Sequence, residues 1–180
     1  ATGGFSNYNA SAEKYKYAGV IGGLCTPYDD VCRYDTILIT EGEKDMLTAK
    51  SFGIKSAVAK LGGAITPLIG GINFNNKRVV IVYDCDEPGR QGAYKDAAYL
   101  IDKHACSVKV IDLGLQDKED LNDYFMKYNH TVQDLYTLIQ STPEFVVPSE
   151  YKLSKVDKIL NNLTPEELKE LKEKIKEKEN

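Results

Sequence analysis

The sequence predicts an α/β fold in which helices flank a mainly parallel sheet of about four strands. Three apolar runs of strand length are each followed closely by an acidic cluster, and helical spacing fills much of the chain between them. Strands that alternate with helices form parallel sheets, whose carboxyl ends share one edge. Acidic side chains from distant parts of the chain are therefore expected to meet at that edge.

The strands and helices follow one another in a regular order along the chain. Strands are predicted at residues 36–40, 56–61, 78–83 and 108–113, and helices at residues 43–52 and 89–103. The first helix ends at Gly53, a residue type that is common just beyond helix ends. The second strand is closed by Gly62 and Gly63. These elements define a predicted domain over residues 36–142.

Residues 1–35 differ from this domain in composition. They are rich in Gly, Tyr, Ser and Asn and show no sustained period, so we expect loops with a short strand around residues 15–20. The segment has the character of a fragment of something larger.

Residues 143–180 are predicted to form a linker and C-terminal helices. Pro148 and Ser149 mark the linker, and a capping box begins the last helix, with Thr164 as the N-cap and Glu167 as its reciprocal partner. A narrow apolar stripe on that helix consists of Leu168, Leu171 and Ile175. Two interpretations stay open: a solvated helix that packs on the domain, or a helix that docks on a neighbouring domain or a second copy.

Composition and charge exclude several classes of protein. The chain has a net charge of -4, which argues against nonspecific coating of nucleic acid, because such binding uses many Lys and Arg contacts to phosphates. No apolar stretch approaches the roughly 20 residues of a membrane span, and the first residues lack a signal-peptide pattern. We therefore expect a cytoplasmic protein without membrane association.

The cysteines do not predict a zinc site. The 4 cysteines have no Cys-x-x-Cys spacing, and only 2 histidines are available to complete a ligand set. In a reducing compartment, free and partly buried thiols are expected.

The acidic clusters include Glu41, Asp84 and Asp120, and each lies shortly after a predicted strand. Repulsion between carboxylates gathered at one edge is relieved by divalent cations or by protonation, so the sequence predicts a site for a hard cation. Asp84 and Asp86 leave a strand two residues apart, where a bend can turn both carboxylates toward one ion, and Glu41 can join them. An oxygen-only set suits Mg²⁺ better than Zn²⁺ and indicates phosphoryl transfer.

Two glycines and two helix starts complete the predicted site. Gly42 and Gly89 are expected to allow tight turns directly after the acids. Backbone amides at the helix starts near Lys44 and Arg90 would favour anions.

The ordered set of motifs resembles the Toprim domain shared by primases, topoisomerases and some nucleases, over roughly residues 36–140. The motifs are most similar to those of bacterial primases and phage-type primase-helicases, and they are Ile39–Asp45, Lys60–Ala64, Asp84–Arg90 and Glu119–Phe125. The resemblance implies a Rossmann-like Toprim fold for residues 36–142. It also makes residues 1–35 a remnant of an upstream primase subdomain.

The resemblance implies catalytic carboxylates at Glu41, Asp84 and Asp86, which would hold one or two Mg²⁺ or Mn²⁺ ions. Asp120 and Asp123 would complete or support this metal site. The ions would position a nucleoside triphosphate and the attacking 3′-hydroxyl, as in two-metal transfer. Phosphate contacts are implied at three basic residues, Lys44, Lys60 and Arg90.

The function implied by the resemblance is that of a DNA primase-like nucleotidyltransferase, which makes primers in DNA replication from a single-stranded DNA template and nucleoside triphosphates. The sequence lacks a Cys/His ligand set and a Gly-x-x-x-x-Gly-Lys-Ser/Thr loop, so it corresponds to an excised catalytic core or to a small protein that needs a partner. The partner would be a replicative helicase or the missing primase domains. Two alternatives stay open: a Toprim nuclease that uses the same acids, and a non-catalytic module that binds metal and nucleotide in a replication complex.

Overall fold

A computed structural model gives the structure of this chain and describes residues 24–25, 33–62, 74–103, 105 and 107–179. The predicted strand around residues 15–20 lies outside the described residues, as does most of the predicted N-terminal segment. Gly63 and Ala64, which belong to one of the Toprim-like motifs, also lie outside them.

The described part of the chain contains one five-stranded sheet with helices packed against it. In chain order the elements are β1 Leu24–Cys25, β2 Thr36–Thr40, α1 Glu43–Ser51, β3 Ala57–Lys60, β4 Arg78–Val82, α2 Glu87–Asp102, β5 Ser107–Val110, α3 Leu121–Met126, α4 Val132–Ser141, α5 Ser149–Asn162 and α6 Pro165–Glu179. The strand order is β1-β3-β2-β4-β5. The strands β2 to β5 are parallel, and β1 pairs antiparallel with β3 at one edge. The predicted α/β fold with four parallel strands is therefore confirmed.

Most element boundaries lie within two residues of the predicted ones. The helix α2 begins at Glu87, two residues earlier than predicted, because the Asp86 side chain caps it. The strand β5 ends at Val110, three residues before the predicted end. Ile111 still donates its backbone N–H to the carbonyl of Ile81 at 2.9 Å, and Ile111 and Leu113 pack into the core. The strand β1 is too short to be predicted from the sequence, since two residues carry too little pattern.

Alternate residues of the central strands contact two separate apolar layers. Ile37 and Ile39 of β2 pack with residues of α2 on one face of the sheet, whereas Leu38 packs with residues of α1 on the other. Because both faces are covered, the strands are continuously apolar, as expected for a buried parallel sheet. This packed sheet positions the carboxyl ends of β2 and β4.

The helices α5 and α6 form the predicted C-terminal appendage, and none of their described side chains is buried. The predicted capping box is present: Thr164 N–H donates to the Glu167 carboxylate at 2.8 Å, and Glu167 N–H donates to Thr164 Oγ1 at 3.3 Å. Lys155 of α5 forms an ion pair with Asp102 at the end of α2. No helix among the described residues is long and apolar enough to cross a membrane. The domain boundaries at residues 35 and 142 stay predictions.

Candidate metal centre

The register of two neighbouring strands sets the position of the first two acidic clusters. Thr40, the last residue of β2, pairs with Val82, the last residue of β4. Glu41 therefore follows β2 at the level where the chain leaves β4 toward Asp84. The backbone N–H of Asp84 donates to Glu41 Oε2 at 3.4 Å. The structure thus brings these two predicted residues together at one edge of the sheet.

Asp86 lies at the start of α2 and caps that helix. Its Oδ1 accepts a hydrogen bond from Gly89 N–H at 2.7 Å, the usual role of an aspartate at an N-cap. The cap holds the first turn of α2 against the loop that carries Asp84.

Gly89 is required by the close approach of two backbones. A Cβ on Gly89 would lie 2.3 Å from the carbonyl oxygen of Asp84, far inside a normal contact distance. Gly42 has no such constraint, because its φ is -133° and a Cβ there would lie 3.7 Å from Asp45 Oδ2, an ordinary contact. Of the two predicted turn glycines, the structure demands only Gly89, and it does so for packing.

The third acidic cluster reaches the same edge through α3. Asp120 and Asp123 form a capping box, in which the carboxylate of each residue accepts the backbone N–H of the other, at 2.8 and 3.3 Å. Asp120 Oδ2 also accepts a hydrogen bond from Lys44 Nζ at 2.9 Å. Cys85 N–H donates to the carbonyl of Glu119 at 2.8 Å, which ties this segment to the loop after β4.

Asp45 is absent from the predicted site residues, yet it lies among them. It is 6% exposed in the first turn of α1, and its Oδ1 accepts the backbone N–H of Asn122 at 3.0 Å. Burial, and next the charge of Asp120, raise the pKa of Asp45 to about 6. The available signal was its place within the first acidic cluster, four residues after Glu41.

Asp84 is repelled by the other acids at this edge. Burial, and next the charge of Glu41, raise the pKa of Asp84 to about 7, and Asp45, Asp120 and Asp86 add to the shift. Four other carboxylates therefore lie close enough to act on Asp84. This mutual repulsion is what the sequence predicts for a cation site.

The donors at this edge suit a hard cation in chemistry and in charge. The charged groups that shift the pKa of Asp84 are all carboxylates, the ligands that Mg²⁺ and Mn²⁺ prefer. In the part of the chain that the structure describes, no three His, Cys, Asp or Glu side chains converge closely enough to coordinate one ion. The assignment of Glu41, Asp84 and Asp86 as ligands therefore stays a prediction.

The three predicted phosphate contacts have different surroundings. Lys44 is exposed and hydrogen-bonded to Asp120, a contact that raises the pKa of Lys44. Arg90 is exposed in the first turn of α2, 3.4 Å from the carboxylate of Glu87. Lys60 is only 1% exposed, so its ammonium group is enclosed in the core. The structure gives Lys60 an internal partner in place of the predicted phosphate contact.

Lys60 belongs to a buried polar network that sequence reasoning missed. Its Nζ donates to Asp96 Oδ2 at 2.5 Å, and the hydroxyl of Tyr83 donates to the same oxygen at 2.7 Å. Asp96 is buried on a face of α2 that also carries Ala93 and Ala97. An acid among the apolar residues of a helix is the sequence signal for a buried partner.

Comparison with known proteins identifies the fold that carries this site. The Toprim domain family matches residues 35–112. These residues form a Toprim domain of the primase kind. The DNA primase of Listeria monocytogenes is 30% identical to the Toprim-containing chain over 82 residues, which are 45% of this chain and 13% of that primase. The chain thus spans a small part of the primases that it matches.

Two further proteins are similar to this chain. The UPF0292 protein of Pyrococcus abyssi is 27% identical over 127 residues, which are 71% of this chain and 87% of that protein. The crystal structure of the Aquifex aeolicus primase, with its zinc binding and RNA polymerase domains, is 25% identical with a TM-score of 0.48. That match covers 62% of this chain and 27% of the primase chain.

Gly89→Ala is expected to lower the free energy of unfolding by about 1–3 kcal/mol, the usual cost of forcing atoms into filled space. The new Cβ would lie 2.3 Å from the Asp84 carbonyl oxygen, so either α2 or the Asp84 loop must move. Urea unfolding followed by circular dichroism measures the change. Gly42→Ala is the matched control, because its Cβ makes an ordinary contact. Equal losses in both variants would contradict the packing role of Gly89.

Asp84→Asn is expected to stabilise the metal-free protein at pH 8 and to leave it nearly unchanged at pH 4. The pKa of Asp84 is about 7 in the folded protein against an ordinary value of 3.8, so the folded state binds the proton more tightly. The proton on Asp84 therefore stabilises the folded state. Its contribution to the free energy of unfolding is full below about pH 4 and is lost as the pH rises through 7. After a discount for the partial exposure of Asp84, the gain at pH 8 is about 1–2 kcal/mol.

Urea unfolding in EDTA at both pH values measures this gain. Asp157→Asn is the control, since it removes the same charge from an exposed position on α5. An Asp84→Asn variant less stable than the wild type at pH 8 would mean that the fold needs the Asp84 charge.

Proposed function

We propose that this Toprim domain performs metal-dependent nucleotidyl transfer in primer synthesis during DNA replication. The observation that supports the proposal is the meeting of Glu41 and Asp84 at the ends of β2 and β4, where burial and the charge of Glu41 raise the pKa of Asp84. The likeness of the chain to bacterial DNA primases supports a primase-like role. Since the match covers 13% of that primase, the activity, substrates and partners of the whole enzyme are part of the proposal.

In the proposed site, Glu41, Asp84 and Asp86 hold Mg²⁺ or Mn²⁺, and Asp120 and Asp123 support them from the start of α3. A bound ion would neutralise charge on the phosphates and activate the attacking 3′-hydroxyl. Metal binding would require Asp84 to lose its proton, because a carboxylate ligand is ionised and the pKa of Asp84 is raised to about 7.

Lys44 and Arg90 are the proposed contacts for the phosphates of a nucleoside triphosphate. Both side chains are exposed, and both lie in the first turn of a helix that follows an acidic strand end. Helix N-termini and nearby cations favour phosphate oxygens. Lys60 is left out, because its ammonium group is paired with Asp96 inside the core.

The proposed substrates are a single-stranded DNA template and nucleoside triphosphates. The proposed partners are a replicative helicase or further primase domains, and a cytoplasmic location belongs to the same proposal. With a net charge of -4, this chain would rely on basic surfaces of such partners to hold the template.

A second candidate function is metal and nucleotide binding, or nucleic acid cleavage, without primer synthesis. The match to the Pyrococcus abyssi protein covers 87% of that protein, so the region similar to this chain makes up most of the Pyrococcus abyssi protein. A Toprim nuclease would use the same acids with water as the nucleophile. A binding module would hold metal and nucleotide and make no product.

Primer synthesis is the activity to test. The protein is incubated with single-stranded templates, labelled ribonucleotides or deoxyribonucleotides, and Mg²⁺ or Mn²⁺, and the products are sized on a gel. We expect short labelled oligomers from the wild type. The yield from Asp84→Asn should be lower by about 100-fold or more, because the ion that would stabilise charge in the transition state is no longer held. Asp157→Asn, which changes the same charge on α5, should retain the wild-type yield.

Each other outcome of this experiment has a definite meaning. Shortened templates without new oligomers would favour the nuclease. Metal binding in a calorimetric titration without any product would favour the binding module. Oligomers made equally well by Asp84→Asn would contradict the catalytic assignment of Asp84.

A further inference from the structure

Three buried polar residues, Lys60, Tyr83 and Asp96, form a network next to the acidic edge. Asp96 Oδ2 accepts hydrogen bonds from Lys60 Nζ at 2.5 Å and from the Tyr83 hydroxyl at 2.7 Å. Lys60 Nζ also lies 5.4 Å from the centre of the Tyr83 ring, within range of a cation–π contact. The network joins β3, the end of β4 and α2.

Stability alone does not account for this network. Lys60 and Asp96 are each 1% exposed, and charges taken out of water lose hydration that an ion pair often fails to return. Apolar side chains of similar volume in the same places are often as stabilising or more so. Another role is suggested by the position of the network, which lies next to the loop that carries the acids.

The network fastens the loop that carries the acids. Tyr83 directly precedes Asp84, so the hydrogen bond from Tyr83 to Asp96 fixes the residue from which the loop starts. At the other end of the loop, Asp86 accepts the N–H of Gly89 at 2.7 Å. Both ends of the loop are thus attached to α2, with Asp84 between them.

The loop needs this attachment because like charges push against it. The backbone N–H of Asp84 lies 3.4 Å from Glu41 Oε2, so the acid that ends β2 and the acid that follows β4 stand side by side, and like charges placed in this way repel each other. Such repulsion separates the acids unless other contacts resist it. Lys60 belongs to β3, on the far side of β2 from β4, so its ion pair with Asp96 of α2 spans β2 and opposes the separation.

We propose that Lys60, Asp96 and Tyr83 are positioning residues that keep Asp84 and Asp86 in place for cation binding. The inference rests on the metal site proposed above, but it concerns residues that bind neither the ion nor a nucleotide. It gives Lys60 an internal supporting role at the same end of the sheet as the acids.

The main test removes both buried charges together. In Lys60→Met/Asp96→Leu, apolar side chains replace the pair, and the buried Tyr83 hydroxyl loses its acceptor. The gain from removing two buried charges and the cost of the unpaired hydroxyl oppose each other, so the urea unfolding midpoint should stay close to that of the wild type. We expect the Mn²⁺ affinity, measured by isothermal titration calorimetry, to fall about tenfold or more, as when outer residues of a metal site are lost. Glu170→Gln/Lys174→Met is the matched control, because it removes an exposed ion pair on α6. It should bind Mn²⁺ like the wild type.

Tyr83→Phe is a second variant that keeps the test decisive where the double variant does not fold. It removes only the hydroxyl that donates to Asp96 and leaves the ion pair in place. The Mn²⁺ affinity should fall in the same direction by a smaller factor. An unchanged affinity in this variant and in the folded double variant overturns the inference.

Amide exchange distinguishes failure of this inference from failure of the metal site. Hydrogen–deuterium exchange followed by NMR reads the N–H groups of Asp84, Cys85 and Gly89, which hydrogen-bond the loop and the start of α2 to their surroundings. They should exchange faster in the double variant at unchanged global stability. If the wild type binds no Mn²⁺, the proposed metal site fails and amide exchange decides the positioning role. Wild-type exchange in the folded double variant would then overturn it.

Discussion

Repulsion between carboxylates is the constraint around which one end of this sheet is built. The register of β2 and β4 places Glu41 beside Asp84, and α3 brings Asp120 to the same edge. Several of the acids have compensating contacts: for example, Asp45 accepts a backbone N–H, and Asp120 accepts a hydrogen bond from Lys44. For Asp84, burial and four like charges all raise the pKa. The metal-free protein therefore retains unfavourable electrostatic energy at a predicted ligand.

Contacts from several elements hold the loop after β4. The residues that make the contacts named here are not predicted metal ligands. Cys85 donates to the carbonyl of Glu119 ahead of α3, Gly89 lets α2 approach the backbone of the loop, and Tyr83 donates to Asp96 within the core. The geometry of the acids thus depends on how the whole domain packs. A functional site built on such supports is more accurately placed than one on a free loop.

The parallel sheet and the meeting of Glu41 with Asp84 could be predicted, because apolar runs indicate strands and strand ends in a parallel sheet share an edge. Pairing between distant elements could not. In the sequence, Lys60 lies two residues before Gly62 and Gly63, where an exposed lysine is expected. Asp96 lies in a predicted helix with several other charged residues, so it is also expected to be exposed. Their mutual burial depends on how β3 and α2 pack, which periodicity does not specify. The ligand set stays a prediction, because no three His, Cys, Asp or Glu side chains among the described residues converge closely enough to coordinate one ion.

The proton and the cation are alternative responses to the same electric field. With a pKa of about 7 for Asp84 and about 6 for Asp45, the site keeps part of a proton that ordinary aspartates lose well below neutral pH. A field that disfavours ionisation favours a cation by the same interaction, because both put positive charge in one place. The acids that weaken the metal-free fold are therefore the ones suited to hold an ion. Under the proposed positioning role, the costly buried pair Lys60–Asp96 lies at this end of the sheet because repulsion between the acids has to be resisted there.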